Sequence, residues 1–216
     1  MGTDASSAAD GGDVVRARAR TNPYAYMFSD SELDQLLLDL GRRRAASIRR
    51  NRTAAGSVPS RGVYPEPGMG FVIMDPTADP WVPHDAAVLG VVTVGADGHR
   101  WLVNAAAKAA GHRRLGRNYG EAVLTDPHLC GSGAFRWGHS VEVRGVIVGA
   151  SSQTSDQDAF ESTHLASEFV AAVTARHLAW EQQAKGEDWL SPDDRPSSGF
   201  RRMVAEFLPA EEPLTD

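Results

Sequence analysis

The strongest chemical hint in the chain lies in "GAFRWGHS", where Arg136, Trp137 and His139 stand together between glycines, just before a valine-rich run. An arginine presents a planar fork that matches a carboxylate or phosphate. A tryptophan adds a flat apolar wall, and a histidine can exchange a proton near neutral pH. Such a trio, placed where regular structure resumes, reads as the rim of a ligand pocket. The alternative is a tryptophan packed over a sheet edge with its arginine in water.

Other histidines could join that rim. His128 lies beside Cys130 in the glycine-bearing stretch 117–138. The spacing of His128, Cys130 and His139 matches no zinc pattern, and the chain has a single cysteine, so an organic ligand is the better reading than a metal. His112 ends an alanine-rich run next to Arg113 and Arg114. Cations are favoured at a helix C-terminus, so a structural role alone would account for it. His164 follows Phe160 by one helical turn and could line a pocket at a helix entrance. His177 continues an apolar stripe and reads as a core or interface histidine. Asp156 and Asp158 precede the last long helix and read as caps, as does Ser155. No G-x-S-x-G, Walker loop or H-E-x-x-H is present.

The elements that must position these residues follow from periodicity. Residues 1–22 are rich in Ala, Gly, Ser and Asp and predict a disordered arm. Ser29 with Glu32 forms a capping-box pattern, and Leu33, Leu36, Leu37 and Leu40 mark one face of a helix beginning near Ser31. "FVIM" (71–74) reads as a strand. "DPTADPWVPHD" has three prolines and reads as an irregular segment, long enough to favour a function there. "AAVLGVVTV" and "HRWLVN" read as a hairpin around Asp97-Gly98. A short alanine-rich helix should follow and end near Gly116. "HSVEV" and "VIVGASS" form a second hairpin turning at Arg144-Gly145. A long helix covers about 158–183, with Leu165, Phe169, Val173 and His177 on its buried stripe. The expected architecture is α+β, an antiparallel sheet of hairpins flanked by helices. It comprises one domain over 23–183 and a tail over 184–216 whose "FRRMVAEFL" would form a short amphipathic helix.

Composition narrows the functional classes. The 216 residues are 42% hydrophobic, with no apolar run long enough to span a membrane and no apolar stretch of signal-peptide type near the start. A cytoplasmic location with no membrane partner is therefore expected. A net charge of −6 argues against nucleic acid as the main partner. The exposed apolar residues of the tail and the long helix predict a homo-oligomer.

"VEVRGVIVGASSQTSDQD" is similar to the C-terminal signature of the GlcG/HbpS family: a strand, a glycine turn, a "G-x-x-V-G-A" strand, a small-residue loop, and a Gln/Asp pair opening the last helix. Val143, Gly145, Val148, Gly149, Ala150, Gln157 and Asp158 occupy those places. The helix bearing Lys108-Ala109 resembles the family's "KA" helix, and "LDQLLLDLGRRRAASI" its first helix. The sequence lacks the family's Gly-Gly-x-Pro step, and 71–91 looks like an insertion. A GAF domain is the rival resemblance. Both imply a profilin- or GAF-like sandwich. The GlcG/HbpS resemblance implies a small-molecule ligand, with haem as the candidate cofactor. Arg136 and Trp137 would hold it, and one of His112, His128, His139 and His164 would be the axial ligand. Two other readings stay open. One is an enzyme on the same scaffold, with a histidine acid or base and Arg136 as carboxylate anchor. The other is a GAF-like sensor or interaction module.

Overall fold

The computed structural model of the chain describes residues 14–118, 120, 138–183 and 202–203. Two compact units divide it, Met1–Ala175 and Arg176–Asp216. In the first unit the elements run β1 (Val15–Ala19), α1 (Asp30–Asn51), β2 (Met69–Met74), β3 (Val88–Val94), α2 (Leu102–Leu115), β4 (Val141–Val143) and β5 (Val146–Ser151). A last helix, α3 (Ser155–Gln183), starts in this unit and runs through the boundary. The five strands form one antiparallel sheet in the order β1-β3-β2-β5-β4. The α+β expectation therefore holds.

Alternation along the strands assigns the two faces. Phe71 and Ile73 of β2, Val92 and Val94 of β3, and Val148 and Ala150 of β5 join Leu33, Leu37 and Leu40 of α1 and Leu165 and Phe169 of α3 in one buried cluster. Val72, Met74 and Ile147 point the other way and meet Ala105 and Ala109 of α2. The helices thus cover both faces, two on one side and one on the other.

Local chemistry places the ends. Ser29 caps α1, its side chain accepting from the Glu32 N–H while Glu32 Oε2 accepts from the Ser29 N–H at 2.8 Å. Arg144 (φ 49°) and Gly145 (φ 84°) both lie in the left-handed region, the pattern of a two-residue I′ turn, and they set the pairing of Val143 with Val146. Thr154 caps α3, exchanging hydrogen bonds with Gln157. Asp156 and Asp158 are thereby corrected as caps. The Asp158 carboxylate is occupied elsewhere, by Lys108 and the Gln153 N–H.

Two further expectations are corrected. Residues 15–19, expected within a disordered arm, form the edge strand β1, because Val15 and Ala17 bury against α1 while the backbone pairs with β3. "HRWLVN" is not the second arm of a hairpin. Gly98–Trp101 make a single 3₁₀ turn, and Leu102 opens α2. The physical reason is occupancy: β3 already has β1 on one side and β2 on the other, so no edge is left for a returning strand. β3 instead pairs back with β2 across the proline-containing segment 75–87. The polar tail and "FRRMVAEFL" lie outside the described residues except for 202 and 203, which are helical.

No described helix is long and apolar enough to cross a membrane.

Candidate functional site

Among the described residues α2 is the one helix on its face of the sheet, and it determines where space is left. α2 lies very close to β5. A Cβ placed at Gly149 would stand 2.2 Å from the Ala105 carbonyl oxygen and 3.1 Å from the Ala109 Cβ, so only glycine allows that approach. Drawn in against β5 and β2, α2 leaves the β3–β1 side of the same face bare. An open hollow of about 620 Å³ results. Its floor is Val72, Val88, Gly90 and Val91, one wall is Leu102, Val103 and Ala106, and the other is Arg18, Ala19 and Arg20. Val103 is 78% exposed although apolar. Arg18 alternates with the buried Ala17 and the half-buried Ala19, so strand geometry turns it away from α1, and Arg20, in the bend just after β1, lines the same wall. Both are exposed, and among the described residues neither guanidinium is in an ion pair.

The segment 75–87 packs against residues that line the hollow. Ala78 and Val82 pack in the same cluster as Val88, Val91, Leu102 and Ala106. Arg113, near the end of α2, holds the segment in place. Its guanidinium donates to the carbonyls of Asp79, Val82 (2.9 Å) and Ala78 (3.4 Å), and Nη1 lies 3.1 Å from His84 Nδ1. Burial first, then the Arg113 and Arg114 charges, lower the His84 pKa, so the neutral imidazole accepts from Arg113. Asp75 anchors the other end of the segment, accepting from Thr21 Oγ1 (2.7 Å) and from the Thr77 N–H (2.8 Å). The prolines thus serve a fixed irregular path, with Trp81 left 78% exposed.

A separate polar cluster lies at the far end of α2. His112 is buried. Its Nδ1 stands 2.8 Å from Ser140 Oγ and its Nε2 3.3 Å from Glu142 Oε2. Ser140 is 1% exposed. If Nε2 carries the proton toward Glu142, Nδ1 accepts from the serine hydroxyl: a nucleophile, base and orienting carboxylate in sequence. His139, half-buried with φ 75°, has its ring against Gly120.

The residues singled out from sequence therefore separate. Arg136, Trp137 and His128 lie outside the described residues. His112 and His139 flank the start of β4. His164 is exposed and meets Phe160 edge-on, ring centroids 4.3 Å apart. His177, in the second unit, is paired within its own helix with Glu181 (3.4 Å) and stacked on Trp180. Among the described residues no imidazole lines the hollow, and no group of three His, Cys, Asp or Glu could hold a metal. The described lining does not fit a haem through its iron. Arg18 and Arg20 were missed because the arm was read as disordered; the strict Val-Arg-Ala-Arg-Ala alternation was the signal.

Two buried ion pairs brace the arrangement. Lys108 Nζ, 1% exposed, reaches Asp158 Oδ2 at 2.6 Å and the Ala150 carbonyl at 2.9 Å. It ties α2 to β5 and to the start of α3. Burial pushes the Asp158 pKa up to about 6, opposed by the Lys108 ammonium and the N–H groups of Gln153 and Ser152. At neutral pH the Asp158 carboxyl is therefore still mostly ionised. On the opposite face, Glu161 is fully buried and accepts from Ser47 Oγ (2.7 Å), Tyr64 Oη (2.9 Å) and Arg44 Nη1 (3.1 Å). Burial and the neighbouring Glu161 charge raise the Tyr64 pKa, so the phenol stays a donor.

Comparison with known proteins finds no family model, no curated protein and no solved structure that matches the chain.

Proposed function

We propose that the chain is a small-molecule-binding protein of the GlcG/HbpS type, with its ligand in the hollow between α2 and the β1–β3–β2 side of the sheet. The observation that carries this reading is the hollow itself: about 620 Å³, floored by valines, walled by α2, and fringed by two arginines that have no ion pair among the described residues. That volume lies within the range of small-molecule sites, and an apolar floor with few polar groups at its rim is their usual composition. Haem enters the proposal as a flat, anionic ligand held by its ring and propionates. The proposal includes a homo-oligomer in the cytoplasm, with neither nucleic acid nor membrane as partner.

Native mass spectrometry of the purified full chain, followed by haemin titration, tests the reading. A retained small molecule or saturable uptake, lost when Ala106→Trp fills the hollow, is the expected result. A bare mass in every preparation, with no uptake of haemin or of a neutral solvatochromic dye, would sink it. The same spectrum reads the oligomer mass.

A second reading, an enzyme, is favoured by the Ser140–His112–Glu142 chain. It predicts covalent labelling by a fluorophosphonate that disappears in Ser140→Ala. No labelling of the folded chain removes it.

A further inference from the structure

The hollow has a chemical polarity. Its body is apolar: Val72, Val88, Val91, Leu102, Val103 and Ala106. Its charged groups are all on the β1 wall and all of one sign. Arg18 lies in β1 and Arg20 in the bend just past its end, and both line the same wall of the hollow. Two residues apart on one wall, their flexible guanidinium groups can converge on one anionic head. Arg16 continues the row on the same side. Among the described residues no carboxylate neutralises Arg18 or Arg20, and no acidic residue lines the hollow. Exposed arginines ordinarily gain from a nearby carboxylate. A row left without one, beside an apolar floor, is complementary to a molecule that brings its own anion and an apolar body.

We propose that the hollow takes a free amphiphilic anion, with a single carboxylate, sulfonate or phosphate-monoester head on Arg18 and Arg20 and an apolar body along Val72, Val91, Leu102 and Ala106. The proposal rests on the ligand-site reading above and adds the ligand's chemical class. The open mouth beside the exposed Val103 lets a body longer than the floor extend along α2. The guanidinium forks select for head charge, because an alcohol or quaternary ammonium of equal length would meet the same valines without their bidentate partners.

The test uses the full chain and the neutral dye Nile red, displaced by dodecanoate, dodecanol or dodecyltrimethylammonium, each below its micelle concentration. Dodecanoate should displace the dye at least tenfold more effectively than the other two. Arg18→Ala/Arg20→Ala should abolish that preference while dye binding persists, and Arg18→Lys/Arg20→Lys should keep part of it. Both arginines are exposed, so the double variant should fold, and its circular dichroism checks this. If Nile red fails to bind at all, the ligand-site reading falls and this inference with it. If the dye binds but dodecanol competes as well as dodecanoate, or the alanine variant keeps the preference, the anion inference alone is overturned. Sedimentation with phosphatidylglycerol vesicles without any dodecanoate competition would likewise overturn a free ligand in favour of a lipid surface.

Discussion

On one face of the sheet, α1 and α3 meet over Phe71, Ile73 and Val92, and their contact is braced by Glu161 with three donors around it. On the other face, among the described residues, α2 is the one helix over β5 and β2, and about 620 Å³ beside it is left open. Each face has a buried ion pair that holds its helices, Arg44–Glu161 on the first and Lys108–Asp158 on the second. The second face also carries two exposed arginines that, among the described residues, are in no ion pair. Charge that braces the fold is buried and paired, whereas charge available to a ligand is exposed and lacks a partner among those residues. The difference locates the candidate site on the α2 side.

The sealed face is most vulnerable at Arg44. Its guanidinium bridges Glu161 (3.1 Å) and Glu168 (2.7 Å) from inside the α1–α3 contact. Arg44→Met leaves the fully buried Glu161 without its countercharge, and loss of one partner of such a pair costs about 3–5 kcal/mol. Urea denaturation should show that loss, and Arg44→Met/Glu161→Leu should recover much of it, because the penalty comes from the orphaned charge. A loss below about 1 kcal/mol in the single variant would mean that this face is held by its leucines alone.

Gly149 tests the other face with a smaller expected cost. Gly149→Ala puts a methyl against the Ala105 carbonyl and must lift α2. Overpacking of this kind costs about 1–3 kcal/mol. The lift also reshapes the hollow, so dye affinity should change together with the melting temperature. Unchanged binding alongside reduced stability would separate the hollow from the seating of α2.

How much of this was legible in the sequence depends on range. The Ser29–Glu32 box, the Leu33/Leu37/Leu40 face and the Arg144-Gly145 turn are signals spanning a few residues, and each reads directly. β1 was missed because its apolar half is only valine and alanine, and what makes it a strand is the register with Val94 and Val92, far along the chain. "HRWLVN" is apolar enough for either strand or helix, and the occupied edges of β3 decided it. For the candidate site, the histidines announced themselves by type, but His112 proved to be hydrogen-bonded to Ser140 and His164 to meet Phe160 edge-on, both away from the hollow. Lys108 and Asp158, quoted from separate parts of the GlcG/HbpS resemblance, meet at 2.6 Å across 50 residues, a contact that no local pattern encodes.

That pair gives a pH-dependent prediction. The folded-state pKa of Asp158 stands at about 6, above its ordinary value of 3.8. Between those values the folded chain holds more of this proton than the unfolded chain. The group's stabilising contribution is therefore full below the ordinary value and is lost as pH rises through about 6. Asp158→Asn cannot titrate, so wild type should gain stability relative to this variant when pH falls from 7 to 4.5. Urea midpoints of both proteins at the two values check it; a gap that narrows on acidification contradicts the sign.

The smallest effect on stability is expected at Val103. An apolar side chain that is 78% exposed contributes little burial. Val103→Ser should thus leave stability within about 0.5 kcal/mol of wild type, as surface substitutions commonly do. Leu165 on the sealed face is fully buried, and its truncation to alanine should cost about 2–5 kcal/mol. If Val103 forms the hollow's wall, serine there weakens dye binding with no matching loss in the urea midpoint. A destabilisation approaching that of Leu165→Ala would mean that something of the chain's own covers α2, and the open side would then be closed in solution.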